Sequence, residues 1–65
     1  MKQKPRLRLR HDADWDEWQV VWYDRAGSYW KRSAEKTYHT DDKKDAVLTM
    51  ADMQKRIDAK EPGYV

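Results

Sequence analysis

Three aspartates alternate in the segment HDADWD, at Asp12, Asp14 and Asp16, and this spacing is typical of the start of a calcium-binding loop. The rest of the calcium pattern is missing, because Glu17 stands where such loops have glycine and Tyr23 stands where they have the closing glutamate. The sequence therefore predicts no metal site. We expect these acids to lie in solvent or near the basic N-terminal segment.

The candidate groups for acid-base chemistry are the two histidines, His11 and His39. No serine or aspartate stands at a spacing that would place a nucleophile beside a base. Cysteine is absent, which excludes disulfides and any metal site that uses cysteine. We expect no enzymatic activity and no cofactor.

Arg6, Arg8 and Arg10 alternate with Leu7 and Leu9. As a strand, this segment would place the leucines on a core and the arginines on the opposite face. The arginines would then keep an edge strand from aggregating, or form a row that faces phosphates. The two roles are compatible.

The stretch from Glu17 to Ala34 predicts a hairpin, because apolar and polar residues alternate on both sides of a turn sequence. With Arg25–Gly27 as a three-residue loop, Trp22 lies opposite Trp30, and Arg32 falls at the rim of the apolar face. A loop one residue longer would send Trp30 to the other side. The preferred register gives an indole face, made of Trp18, Val20, Trp22 and Trp30. The opposite face is made of Gln19, Val21, Tyr23, Tyr29, Lys31 and Ser33.

After the hairpin, residues 33–36 suggest a second turn before a short strand at residues 37–39, although one long bent strand over residues 28–39 is the alternative. A helix follows, capped by Thr40 or Asp41 and stopped by Pro62-Gly63. Leu48 points away from its apolar stripe. That stripe should cover the indole face and consists of Ala46, Met50, Met53 and Ile57.

The length of 65 residues allows one domain, and four tryptophans and four tyrosines supply its core. We predict an α+β fold: a small antiparallel sheet of three to four strands, with one C-terminal amphipathic helix packed on one face. Residues 1–5 form a flexible basic arm, residues 6–61 the domain and residues 62–65 a short tail. No segment is long and apolar enough for a membrane span, and we expect a cytoplasmic protein.

The sequence order resembles a family of small DNA-binding domains. W-x-V, a turn, Y-W-K-R and then K-T-Y-x-T-D-D-K-K-D-A resemble the three strands and helix of plant ethylene-response factors and of the arm-binding domains of tyrosine integrases. In those families the helix packs on one side of the sheet, and Arg, Lys and Trp on the other side enter the major groove. The resemblance implies that Lys31, Arg32 and Lys36 match basic strand residues.

Charge is segregated along the chain: residues 1–10 are basic, residues 11–24 carry acids without lysine or arginine, and residues 25–40 are basic again. We therefore expect binding of nucleic acid, duplex DNA above all, by the open sheet face. The predicted contact residues are Arg6, Arg8, Arg10, Tyr23, Arg25, Tyr29, Lys31 and Lys36. The alternative is a protein-interaction module, such as an inhibitor or adaptor from a phage or other mobile element, or a homodimer, with Tyr23, Tyr29 and Trp15 as anchors.

Overall fold

The computed structural model describes residues 3–62 and contains a sheet and a helix. The elements are β1 (Arg6–Asp12), β2 (Glu17–Ala26), β3 (Tyr29–Thr40) and α1 (Lys43–Asp58). The strands form one antiparallel sheet in the order β1-β2-β3, and α1 packs on one of its faces. The predicted α+β fold is confirmed, with three strands.

The apolar alternation of β1 and β2 places their large side chains under the helix. Leu7 pairs with Trp22 and Leu9 with Val20, so these residues share one face. The helix adds the predicted stripe, of which Ala46, Met53 and Ile57 are buried and Met50 is half-buried. Complete burial of one large aliphatic side chain contributes about 1.5–3 kcal/mol. Leu48 is 63% exposed, in agreement with its position opposite the stripe.

The loop between β2 and β3 is shorter than predicted. Ala26 pairs with Tyr29, so Gly27 and Ser28 alone form the loop, and the predicted three-residue loop Arg25–Gly27 is wrong. Gly27 has φ 64°, whereas Ser28 is not in the positive-φ region. Glycine with positive φ at the first of two loop residues is typical of a type II′ turn, whose twist matches that of the flanking strands.

This loop changes the face on which the residues of β3 lie. Trp30 pairs with Arg25 and Arg32 with Tyr23, so Trp30 and Arg32 face away from the helix. Tyr29 and Lys31 were predicted on the face away from the helix, but they lie on the helix side. The predicted pairing of Trp22 with Trp30 is therefore wrong, and Ser33 occupies the place opposite Trp22.

A wide irregularity interrupts the pairing of β2 with β3. Val20 pairs with Tyr38 and Trp22 with Ser33, so residues 34–37 lie opposite Val21 alone. Thr37 closes this segment, because its hydroxyl donates to the Ser33 carbonyl oxygen at 2.7 Å. The predicted turn and separate strand are wrong, and the alternative of one long bent strand is correct.

The ends of α1 are fixed by specific caps. Asp42 is the N-cap and accepts a hydrogen bond from the Lys44 amide at 3.0 Å; it follows the predicted caps, Thr40 and Asp41, by two residues and one residue respectively. At the other end, Lys60 has φ 56°, its amide donates to the Ile57 carbonyl, and the Glu61 amide donates to the Arg56 carbonyl. This pattern is a Schellman motif, which ends the helix before Pro62.

Residues that precede β1 also contact the domain. Pro5 is buried, and the Lys4 ammonium lies 3.4 Å from the Asp58 carboxylate at the end of α1. Residues 4 and 5 of the predicted arm therefore lie against the domain. Residues 1 and 2 of that arm, and residues 63–65 of the predicted tail, including Gly63 of the predicted helix stop, lie outside the described residues.

Candidate nucleic-acid interface

The sheet face opposite α1, which we call the open face, carries most of the arginines of the domain. Arg6 pairs with Tyr23, which pairs in turn with Arg32, so these three side chains form one row across the sheet. Because side chains alternate along each strand, further members follow at every second position. The basic and aromatic side chains of the open face are Arg6, Arg8, Arg10, Tyr23, Arg25, Trp30 and Arg32.

Trp30 lies among guanidinium groups near the Gly27-Ser28 end of this face. The Arg6 guanidinium carbon is 4.5 Å from the centroid of the Trp30 ring, and that of Arg25 is 5.5 Å from it. Arg25 is also oriented by its own turn, because its Nε donates to the Gly27 carbonyl at 2.9 Å. Cation-π contacts explain why the indole is stable outside the core.

A buried amide organises the middle of the open face. Gln19 is only 4% exposed, and its side-chain oxygen accepts hydrogen bonds from Arg10 Nη1 at 3.1 Å and Arg32 Nη2 at 3.4 Å. Its Nε2 donates to Glu17 Oε2 at 2.9 Å, and the same oxygen lies 3.1 Å from His39 Nδ1. Gln19 therefore connects an arginine of β1 with an arginine of β3.

The same contacts stabilise the charged form of Glu17. The hydrogen bond from Gln19, followed by that from His39, holds the pKa of the Glu17 carboxyl below its usual range. Glu17 thus remains ionised on the open face and marks the boundary between the arginines and the acidic end of the domain.

Most arginines of the open face have no carboxylate partner among the residues that the structure describes. Within residues 3–62, the only salt bridge of this set joins Arg10 Nη1 to Asp12 Oδ2, at 3.9 Å. Arg6, Arg8, Arg25 and Arg32 form none in that segment, and all four are exposed. Their positive charge is consequently available to an anionic ligand.

The structure brings together some of the predicted contact residues and separates others. Arg6, Arg8, Arg10, Tyr23 and Arg25 lie on the open face, as expected. Tyr29, Lys31 and Lys36 do not lie with these five residues. Trp30 and Arg32, which were not among the predicted contact residues, lie on the open face. Tyr29 and Lys31 lie on the helix-side face, and the Lys36 ammonium lies 5.1 Å from the centroid of the Trp22 ring.

The missed residues had a detectable signal. Gly27-Ser28 is a dipeptide of the type that forms two-residue hairpin loops, and that loop alone would have placed Trp30 and Arg32 on the open face. A three-residue loop is favoured only if all the indoles must share one face, and Trp30 does not share the face of Trp22.

The opposite end of the molecule is acidic and aromatic. Trp15 is 81% exposed and borders a depression of about 440 Å³ that is also lined by Asp16, Glu17, His39 and Asp41. His11 Nε2 lies 3.1 Å from Asp16 Oδ1, and this contact connects the end of β1 to the turn before β2. Among residues 3–62, no group of histidines and acids is arranged to hold a metal ion.

Comparisons with protein-family models, with curated proteins and with solved structures found no match to this chain. Within the described segment, no helix has the length and apolar character needed to cross a bilayer. Function is therefore inferred from the side chains of this domain and their arrangement.

Proposed function

We propose that this domain binds nucleic acid, and duplex DNA above all, through its open face. The observation that supports this proposal best is the set of exposed arginines on that face, four of which have no carboxylate partner within the described residues. Guanidinium groups form forked hydrogen bonds with phosphate oxygens and with the edge of guanine. In the DNA-binding domains that the sequence resembles, the sheet face opposite the helix also contacts DNA, and of the three matched basic residues Arg32 lies on that face here.

The spacing of the arginines suits a phosphate backbone. Arg6, Arg8 and Arg10 occupy alternate positions of β1, so the Cα atoms of successive arginines are about 6.7 Å apart. This is close to the separation of neighbouring phosphates along a nucleic-acid strand. One strand of the ligand can therefore follow β1 with one phosphate for each arginine.

The width of the sheet suits the major groove of DNA. The axes of the two outer strands are about 10 Å apart, because neighbouring strands are separated by about 4.8 Å. The major groove is about 12 Å wide and admits a two-stranded β-ribbon, and the sheet here is one strand spacing wider than such a ribbon. Arg32 on β3 would contact the side of the groove opposite Arg8 on β1.

The proposal can be tested by fluorescence anisotropy with a labelled duplex at several salt concentrations. Arg8→Gln and Arg32→Gln should each weaken binding and reduce the slope of log K against log salt by about 0.9, the value for one lost phosphate contact. Lys55→Gln is the matched control, because Lys55 is an exposed cation on α1. No binding of the unaltered protein at low salt would exclude this function, and an equal effect of Lys55→Gln would exclude the open face.

A second candidate function is binding of a protein partner, and the exposure of Trp15 is the observation that favours it. An exposed indole beside Asp16, Glu17 and Asp41 suits a cationic side chain of a partner or of a second copy. Sedimentation velocity of the unaltered protein and of Trp15→Ala would detect self-association that depends on this residue. A monomer at all concentrations would exclude the second copy.

A further inference from the structure

A small pocket on the open face lies between the row of arginines and Trp30. It has a volume of about 280 Å³ and is lined by Arg6, Leu7, Arg8, Tyr23 and Trp30. We propose that this pocket holds one unpaired nucleotide, so that the preferred ligand is a nucleic acid that carries an extrahelical base. This inference rests on the proposed function and specifies the ligand of the same surface.

The pocket walls offer both π surfaces and positive charge. Tyr23 and Trp30 supply aromatic rings, and the Arg6 guanidinium is held 4.5 Å from the Trp30 ring as a further planar surface. Unpaired bases stack on aromatic rings and on guanidinium planes, whereas the bases of an intact duplex are already stacked on each other. The pocket is therefore matched to a base that has left its helix.

The polar groups of the pocket are available for a nucleotide. Arg8, the Tyr23 hydroxyl and the Trp30 indole N–H form no hydrogen bond or ion pair with any residue that the structure describes. Arg8 can bind the phosphate of the inserted nucleotide, and the Trp30 indole N–H can bind the edge of a base that stacks on the Tyr23 ring. An apolar side chain of a partner would use none of these groups.

The volume of the pocket suits one base. Pockets that enclose drug-sized ligands measure about 300–1,000 Å³, and this pocket lies just below that range. One planar ring system fits this volume. Stacking of one base is expected to increase affinity by about 5- to 150-fold over a ligand that lacks it.

The test compares three labelled duplexes of the same sequence: one fully paired, one with a single-nucleotide bulge and one with an abasic residue in that bulge. The abasic bulge keeps the phosphate and the interruption of the helix but removes the base. The unaltered protein should bind the base-containing bulge at least about fivefold more tightly than the abasic one. Equal binding of these two ligands, with binding of the paired duplex intact, would overturn this inference and leave the proposed function standing.

Variants assign the preference to the pocket. Tyr23→Leu should remove the preference for the base-containing bulge, Tyr23→Phe should retain it, and Trp15→Leu, at the acidic end, should have no effect. Circular dichroism of each variant checks that the sheet and helix are formed. If Tyr23→Leu is folded and keeps the full preference, the pocket is not the site. Failure of all three duplexes to bind the unaltered protein would instead exclude the proposed function itself.

Discussion

The Arg6 guanidinium lies 4.5 Å from the centroid of the Trp30 ring, and this contact joins the first and third strands across the second. Arg6 and Trp30 are on strands that do not pair with each other, so no backbone hydrogen bond connects them. The contact therefore adds a side-chain connection between the two edges of the sheet.

We expect the contact of Arg6 with Trp30 to contribute about 0.5–1 kcal/mol to the free energy of unfolding, as is typical of exposed cation-π pairs. A double-mutant cycle with Arg6→Met and Trp30→Leu, measured by urea denaturation, gives this coupling energy. The same cycle with Lys55→Met in place of Arg6→Met serves as the control, because Lys55 lies on α1. A coupling energy of zero would show that the two residues are adjacent without stabilising each other.

Replacement of Gln19 by methionine should reduce the free energy of unfolding by about 1–2 kcal/mol. The side chain keeps a similar length, but Arg10, Arg32 and Glu17 lose the amide that connects them. Gln54→Met is the matched control, because Gln54 is an exposed helix residue whose side-chain amide donates to Asp58 Oδ1 at 3.2 Å, one turn further along α1. Its effect should remain within about 0.5 kcal/mol, and equal losses for both variants would contradict a special role for Gln19.

Replacement of Lys60 by glycine should stabilise the domain by about 0.5–1 kcal/mol. Lys60 has φ 56°, a left-handed conformation that glycine adopts without the steric cost of a Cβ atom. The neighbouring Ala59→Gly is the control. Ala59 has φ −78°, so glycine there relieves no steric strain and only increases the conformational entropy of the unfolded chain. Thermal unfolding should therefore show opposite shifts for the two variants, and shifts of the same sign would contradict the cap geometry.

The pH dependence of stability should include a contribution from Glu17. Its pKa in the folded protein is held down, first by Gln19 and then by His39, so the stabilisation is present above the ordinary glutamate pKa of about 4.3. It is lost as the pH falls from that value through the lower pKa of the folded state. In denaturation measured from pH 6 to pH 2, Glu17→Gln should show a shallower acid limb than the unaltered protein. Identical acid limbs would show that Glu17 titrates alike in both states.

The fold class and the core of the helix could be predicted because they depend on local periodicity. The leucines of β1 alternate with period two, and Ala46, Met50, Met53 and Ile57 recur on one side of a helix, so each pattern indicates its buried face without knowledge of the rest. The N-cap, Asp42, lies one residue after the nearer of the two predicted caps, because Thr40, Asp41 and Asp42 are all suitable cap residues.

The composition of the site could be predicted only in part, because the register of β3 depends on contacts between distant residues. Trp30 has the size and polarity of a core residue, yet Arg6, 24 positions earlier in the chain, and Arg25 stabilise it outside the core. The irregularity opposite Val21 depends on the side chain of Thr37 bonding back to Ser33. Neither arrangement leaves a periodic signal in the sequence.

The two ends of the sheet carry opposite charges, with Trp15, Asp16 and Asp41 around the depression at one end and Arg6 and Arg25 beside Trp30 at the other. The described domain is elongated, measuring 38 Å along its longest axis. In the electric field of a polyanion, this charge distribution orients the molecule so that the end with Arg6 and Arg25 approaches first. Productive encounters are thereby enriched before any contact forms, and salt diminishes that advantage in the association rate.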